Sequence, residues 1–108
     1  MLIDSIDIIT SIRMRISQVA SLLQLSEEAA ELAQAACKMA RIIDGTNPTP
    51  VTMEEASNAL HEEFNDVINA AKVAGLIDSR IQQFDKLSRW AARLDEKEHG
   101  INEYHDER

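Results

Sequence analysis

Apolar residues recur at three- and four-residue intervals along most of the chain, the spacing of an amphipathic helix. The first run, from Ile9 to Leu23, predicts a helix that ends near residue 23. Ser26 is an expected N-cap for a second helix, which extends to Ile43, because its hydroxyl can accept a backbone N–H of the first turn. The segment DGTNPTP, residues 44–50, combines a glycine with two prolines and predicts a loop.

Two further helices are predicted after this loop. Thr52 and Glu55 have the spacing of a capping box and indicate a third helix that reaches Gly75. Either Asp78 or Ser79 can cap a fourth helix, which carries apolar residues at helical spacing.

The fourth helix should end near Gly100, and the charged tail 101–108 is expected to fray. The 108 residues are enough for one domain with a modest core, and aromatic residues make up only 4% of them. The abundant alanines suit closely packed helices better than a β-sandwich. The predicted fold is therefore all-α, a compact four-helix bundle formed by one domain, 1–108.

The formal net charge of -8 argues against nucleic acid or an anionic membrane as the main partner. No apolar run approaches the ~20 residues of a membrane span, and the chain begins without the basic region of a signal peptide. A cytoplasmic location is expected. The single cysteine, Cys37, is expected to be a buried thiol within the second helix.

Carboxylates fall within the apolar stripes of two predicted helices. On the second helix, Glu28 lies inside the stripe and Glu31 at its edge, whereas Glu27 points to the opposite, solvated side. On the third helix, Glu63 lies inside the stripe and Asp66 at its edge. No basic residue shares these two stripes, so the acids lack an obvious ionic partner.

Burying an unpaired carboxylate is costly, so such groups are normally paired, protonated or bound to a metal. Two acidic pairs on facing helices would bring four oxygen-bearing groups together, a ligand set that suits Mg²⁺ or Mn²⁺. The alternative is a wet groove or helix end without a ligand. For a single acidic pair the groove without a ligand is favoured. For two matching pairs the metal site is favoured.

A basic stripe of Lys86, Arg89, Arg93 and Lys97 follows on the fourth helix. Such stripes commonly form i,i+4 ion pairs or simply solvate a surface. Beside a metal site they could instead bind phosphate groups. The residues alone thus indicate a metal-dependent phosphoanhydride hydrolase.

The pattern EEAAE (residues 27–31) followed by EFND (residues 63–66) resembles the EExxE and ExxD motifs of the MazG-like all-α nucleoside triphosphate pyrophosphohydrolases. The resemblance covers roughly residues 10–98. It implies that Glu28, Glu31, Glu63 and Asp66 bind Mg²⁺, for which Mn²⁺ can substitute. It also implies that Lys86, Arg89 and Arg93, in KLSRWAAR, contact phosphates, although Trp90 stands where asparagine is common in the family.

The implied activity is hydrolysis of a nucleoside or deoxynucleoside triphosphate to the monophosphate and pyrophosphate, as nucleotide-pool house-cleaning. Glu28 or Glu31 would accept the proton of the attacking water, with Glu27 as a weaker candidate. Asn69 is a candidate contact to the base, or else a solvated helix residue. Members of the family work as homodimers or homotetramers, which is expected here as well.

Two other interpretations remain open. A di-iron bundle would require Glu-x-x-His pairs inside the bundle, but the one such spacing is Glu96 to His99, at the end of the fourth helix. The other alternative is an acidic helical interaction module, or a family member that has lost turnover. Binding of Mg²⁺ would separate that alternative from an enzyme.

Overall fold

A computed structural model describes residues 5–46 and 50–99, and all regular structure within these ranges is α-helical. The helices, in chain order, are α1 (Ser5–Arg13), α2 (Gln18–Asp44), α3 (Met53–Val73) and α4 (Arg80–His99). The all-α class is thereby confirmed. The tail 101–108, expected to fray, lies outside the described residues.

The chain divides into two compact units, Met1–Ile77 with α1, α2 and α3, and Asp78–Arg108 with α4. Within the first unit, α3 packs against both α1 and α2, and its contact with α2 is the more extensive. The assignment of residues 1–108 to a single domain stays a prediction.

The boundary between the first two helices differs from the sequence-based prediction. The chain leaves the helix at Met14 rather than near residue 23, and Ser17 caps α2 by accepting a 3.0 Å hydrogen bond from the backbone N–H of Ala20. Ser26, the predicted cap, lies inside a continuous helix. The apolar spacing from Ile9 onward is preserved across the break, so periodicity alone gave no sign of it.

The capping box of α3 is confirmed and α2 ends at Asp44, whereas residues 47–49 of the predicted loop lie outside the described residues. Gly45 ends α2 with its backbone in the left-handed helical region, at a φ of 71°, and donates its N–H to the carbonyl of Arg41 at 2.8 Å. Thr52 accepts from the N–H of Glu55 at 3.1 Å, and Glu55 accepts from the N–H of Thr52 at 3.0 Å. The starting point of α3 is therefore fixed by local sequence.

The carboxyl end of α3 lies close to the turn that follows α1. Gly75 has φ 86, and a Cβ placed on it would lie 3.0 Å from the guanidinium of Arg13. Gln18 donates its side-chain amide to the carbonyl of Ala74 at 3.1 Å. A side chain at position 75 would therefore disturb both the backbone and the Arg13 contact.

Small residues form the interior of the first unit. Its buried side chains, among the described residues, are Ala56, Ala70 and Ala74, together with Ser21, whose hydroxyl donates to the carbonyl of Gln18 at 2.9 Å. No large side chain in residues 6–46 and 50–99 is fully buried. The modest core expected of 108 residues is thus not formed by large apolar side chains of one chain.

Ser79 caps α4 by accepting from the N–H of Gln82 at 3.2 Å, which confirms one of the two predicted caps. None of the described residues of this helix is buried. Its apolar stripe is at least half exposed at every position, and it consists of Ile81, Phe84, Leu87, Trp90 and Leu94.

Two expectations from the sequence concern the burial of Cys37 and the absence of a membrane-spanning helix. Cys37 is exposed, so the prediction of a buried thiol is wrong. The reason is that α2 packs mainly against α3, and of its own residues only Ser21 is buried. As for membranes, no helix in the described part of the chain has the length and apolar character needed to cross one.

Candidate metal and substrate site

Three of the four predicted metal ligands meet between α2 and α3. Glu28, Glu31 and Glu63 each offer a carboxylate oxygen, and these three oxygens lie within 4.8 Å of one another. We call these residues the carboxylate triad. Glu28 and Glu63 are half-buried, as their positions inside the apolar stripes predict, and Glu31 is exposed, as its position at the edge predicts.

Helix geometry explains the convergence. Glu28 and Glu31 lie three residues apart on α2 and so share a face. Glu63 reaches the same point from α3, where the buried alanines allow the two helices to pack closely. Because an alanine interface offers no bulky side chain to separate the backbones, the three carboxylates are brought together by packing rather than by attraction.

Two oxygens of the carboxylate triad are buried and unpaired. Neither Glu28 Oε1 nor Glu63 Oε1 has a hydrogen-bond partner among the described residues. The other oxygen of Glu28, Oε2, accepts a 2.7 Å hydrogen bond from the amide of Gln24, one turn earlier. Buried polar atoms are normally satisfied, and these two carboxylate oxygens could accept a proton or bind a cation.

The negative charges of the carboxylate triad act on one another. The pKa of Glu31 is raised above its ordinary value, chiefly by the charge of Glu28 and next by that of Glu63. Partial desolvation and hydrogen bonding to the same two carboxyl groups add to this rise. A proton or a cation at this point would relieve the repulsion.

Asp66, the fourth predicted ligand, is not a member of the carboxylate triad, but it lines a cavity that also includes Glu28. This cavity of about 420 Å³ is lined by residues of α1, α2 and α3 and by the turn after α1, and Glu28 and Asp66 form part of its wall. Asn69, the predicted base contact, lines the same cavity. Its apolar wall consists of Ile12, Ile16, Ala20, Ala70 and Val73. Such a volume is within the range of small-molecule sites.

A second concavity, which we call the α2–α3 groove, also includes members of the carboxylate triad. Its volume is about 650 Å³, and Glu31 and Glu63 form part of its wall. The cations Lys38 and Arg41 of α2 line it as well. Both cations are exposed. The spacing of residues along α2 alone does not place them next to the acids of α3.

The remaining predicted site residues are not members of the carboxylate triad. Glu27 is exposed on α2, beside the carboxylate triad in sequence but not a member of it. Lys86, Arg89 and Arg93 are exposed on α4, in the second unit. The roles predicted for these four residues stay predictions.

Sequence reasoning missed two features of the site. Gln24 is four residues before Glu28, a spacing that allows a hydrogen bond along a helix and could have signalled their contact. Ser21, also in the wall of the cavity, is buried at 3% exposure. It was hidden because α2 was expected to begin only at Ser26.

Comparison with known proteins adds no further constraint. No protein-family model matches the chain, and searches of curated proteins and of solved structures find no significant match either.

Proposed function

We propose that this protein is a magnesium-dependent nucleoside triphosphate pyrophosphohydrolase with a MazG-like four-helix bundle. The observation that carries the proposal is the carboxylate triad, in which two buried carboxylate oxygens have no hydrogen-bond partner in the described part of the chain. Exposed acidic groups often cluster without any ion, so proximity alone is weak support. Burial of a carboxylate oxygen without a partner is stronger support, because the desolvation costs free energy that a bound cation would offset.

The donor set fits the proposed metal. Oxygen ligands alone, and carboxylates in particular, are what Mg²⁺ binds in proteins, whereas the described members of the cluster include no histidine or cysteine to favour zinc. Glu28, Glu31 and Glu63 would hold the ion, with Asp66 as a further ligand from the adjoining cavity. When bound, magnesium neutralises charge that develops on phosphate oxygens during hydrolysis.

The residues of the chain then have distinct roles. The cavity with Asn69 in its wall would accommodate the nucleoside, because its apolar side suits a base and it opens beside Glu28. A carboxylate oxygen of Glu28 or Glu31 would accept the proton of the attacking water, with Glu27 as the weaker candidate. The overall reaction consumes one water and yields monophosphate and pyrophosphate.

Exposed apolar surface supports assembly as a homo-oligomer. Large apolar side chains that are at least half exposed occur on α1, α2, α3 and α4, among them Ile8, Val19, Phe64 and Trp90. Soluble monomers rarely expose large contiguous apolar patches. We therefore propose that the four-helix bundle is completed in a homodimer or homotetramer. In that assembly the large apolar side chains are covered, and the small core of one chain becomes part of a larger shared core.

A binding module without turnover is the second candidate. The same exposed apolar side chains favour it, because a partner protein of another kind could cover them. This candidate gives no reason for two carboxylate oxygens to be buried without a partner, which is why we rank it second.

The direct test is to incubate the purified protein with millimolar magnesium and a panel of ribo- and deoxyribonucleoside triphosphates, and to separate the products by chromatography. Monophosphate and pyrophosphate are expected, and the activity should disappear with EDTA. Diphosphate and orthophosphate would refute this reaction while retaining a metal site. Absence of turnover with every substrate would favour the binding module.

A further inference from the structure

The α2–α3 groove joins acidic and basic groups along one helix. Glu31, Gln34, Lys38 and Arg41 follow one another at intervals of three, four and three residues, so they form one continuous stripe on α2. Lys38 is two turns beyond Glu31, roughly 10 Å along the helix axis. The stripe therefore changes from acid to base within the reach of a single extended anion.

The opposite wall of the groove is formed mainly by short side chains. Where α3 faces the groove beyond Glu63 it presents Ala56 and Ala59, whose short side chains leave the space open. Within residues 6–46 and 50–99, neither Lys38 nor Arg41 has a side-chain hydrogen bond or an ion pair. Two cations with no anionic partner line a concavity that begins at the carboxylate triad.

The charge of the groove depends on what the carboxylate triad holds. Two carboxylates and two cations line the groove, so its wall is formally neutral when the carboxylates are ionised. A divalent cation at the acids would make the whole surface positive and attractive to a polyphosphate. The anion would then contact metal at one end and Lys38 and Arg41 at the other.

We propose that the α2–α3 groove is the binding site for the pyrophosphate part of the substrate, and that Lys38 and Arg41 are the residues that hold it. This proposal rests on the proposed function. In that reaction, water supplies the oxygen for one new P–O bond, and the anhydride bond between the α- and β-phosphates breaks. The leaving pyrophosphate stays in the groove, and Lys38 and Arg41 donate hydrogen bonds to it without exchanging a proton.

The proposal differs from the expectation that the cations of α4 bind the phosphates. Lys38 and Arg41 belong to the same compact unit as the carboxylate triad, and they line a concavity that contains two of its members. Lysine provides a point charge and arginine a planar fork, which together suit a pyrophosphate with several oxygens.

The test is to measure binding of inorganic pyrophosphate by calorimetry in millimolar magnesium, for the wild-type protein and for Lys38→Met, Arg41→Met and the double variant. Methionine retains most of the aliphatic stem and removes the charge. Each single variant should raise the Kd about tenfold and the double variant about a hundredfold, the effect of losing one or two charge-assisted hydrogen bonds. Lys38→Arg should retain most of the affinity.

The matched control is Lys72→Met, which removes an exposed lysine from α3 outside the groove and should bind pyrophosphate like the wild type. Binding of magnesium alone should change less than about twofold in all variants, because Lys38 and Arg41 are not metal ligands. Circular dichroism checks that each variant keeps its helices.

Three outcomes would overturn the proposal. If the wild type produces pyrophosphate from a nucleotide but the double variant binds pyrophosphate normally, the groove is not its site, and the proposed function stands. If affinity is lost only in Arg89→Met, the phosphates belong to α4. If the wild type neither turns over nucleotides nor binds pyrophosphate with magnesium, the proposed function fails together with this inference.

Discussion

The carboxylate triad and the apolar stripe of α4 are both incomplete within one chain, but in different ways. At the triad, packing brings three carboxylates together and leaves two of their oxygens buried without a partner among the described residues, so the imbalance there is one of charge. On α4 the apolar side chains from Ile81 to Leu94 are at least half exposed, so the missing component is apolar surface. Under the proposed function, a small cation would offset the first deficit and another protein surface would cover the second.

This difference teaches that the closely packed positions and the large apolar side chains lie in different parts of the chain. Within residues 6–46 and 50–99, the buried side chains are alanine and serine positions of the first unit, and their close packing positions charged groups. The large apolar side chains that would ordinarily provide stability lie mostly outside that contact. Changes at the triad should therefore affect chemistry with little loss of folding, and changes on α4 should affect assembly.

The largest effect is expected from Glu28→Gln. Removing this charge should lower nucleotide turnover by about 10³-fold or more, equivalent to about 4 kcal/mol of transition-state stabilisation. Helical content by circular dichroism should be unchanged, because the amide is nearly the same size. The measurement is steady-state kinetics in saturating magnesium.

Glu27→Gln is the matched control for that variant, since it makes the same change at the neighbouring, exposed position. It should retain most of the activity. Equal losses in the two variants would mean that the carboxylate triad has no special role, and the comparison drawn above would then fail.

Leu87→Asp tests the other region. Leu87 is 60% exposed within the stripe of α4, and a buried leucine contributes about 1.5–3 kcal/mol. If the stripe packs in an oligomer, the charge should raise the dissociation constant at least about tenfold. Sedimentation equilibrium measures the effect. Gln82→Asp adds the same charge at an exposed polar position of α4 and should leave the mass of the oligomer in solution unchanged.

Addition of magnesium should stabilise the protein against unfolding. At a concentration about ten times the Kd, a single site contributes about 1.4 kcal/mol, which thermal denaturation detects as a rise in Tm. Glu63→Gln should abolish most of that rise and should itself be more stable than wild type in EDTA, because it removes repulsion. A rise of equal size in Glu63→Gln would place the ion elsewhere.

The smallest effect is the pH dependence of metal-free stability. The pKa of Glu31 is raised in the folded state, chiefly by Glu28, so the folded chain binds this proton more tightly than the unfolded chain does. Stability in EDTA should therefore fall as the pH rises from the ordinary glutamate pKa through the raised one. Urea unfolding at several pH values measures this slope, which Glu31→Gln should flatten and Glu27→Gln should not.

Local signals in the sequence predicted much of the fold. The capping box at Thr52, the break after Asp44 and the cap at Ser79 all depend on residues a few positions apart, and each was found where expected. The half-buried positions of Glu28 and Glu63 also followed from helical periodicity, since each falls within the stripe of its own helix.

The remainder depended on contacts that periodicity does not encode. The break after Arg13 preserves the apolar spacing, so periodicity gave no signal of it. Ser17, which caps α2, and Ser26 are equally acceptable N-cap residues by type. A helical wheel places Lys38 relative to its own helix only. Its position beside Glu63 in the α2–α3 groove follows from the way α2 packs on α3.

The uninterrupted course of α2 has a consequence for how this sequence can diverge. Its 27 residues form a rod of about 40 Å that carries Gln24, the glutamates and Lys38 on one hydrogen-bonded backbone. One residue inserted between Glu31 and Lys38 would rotate the two ends by about 100° relative to each other and separate the acids from the cations. Relatives that keep the same chemistry should therefore differ in length between Gly45 and Thr52, outside the helices, and hardly ever within α2.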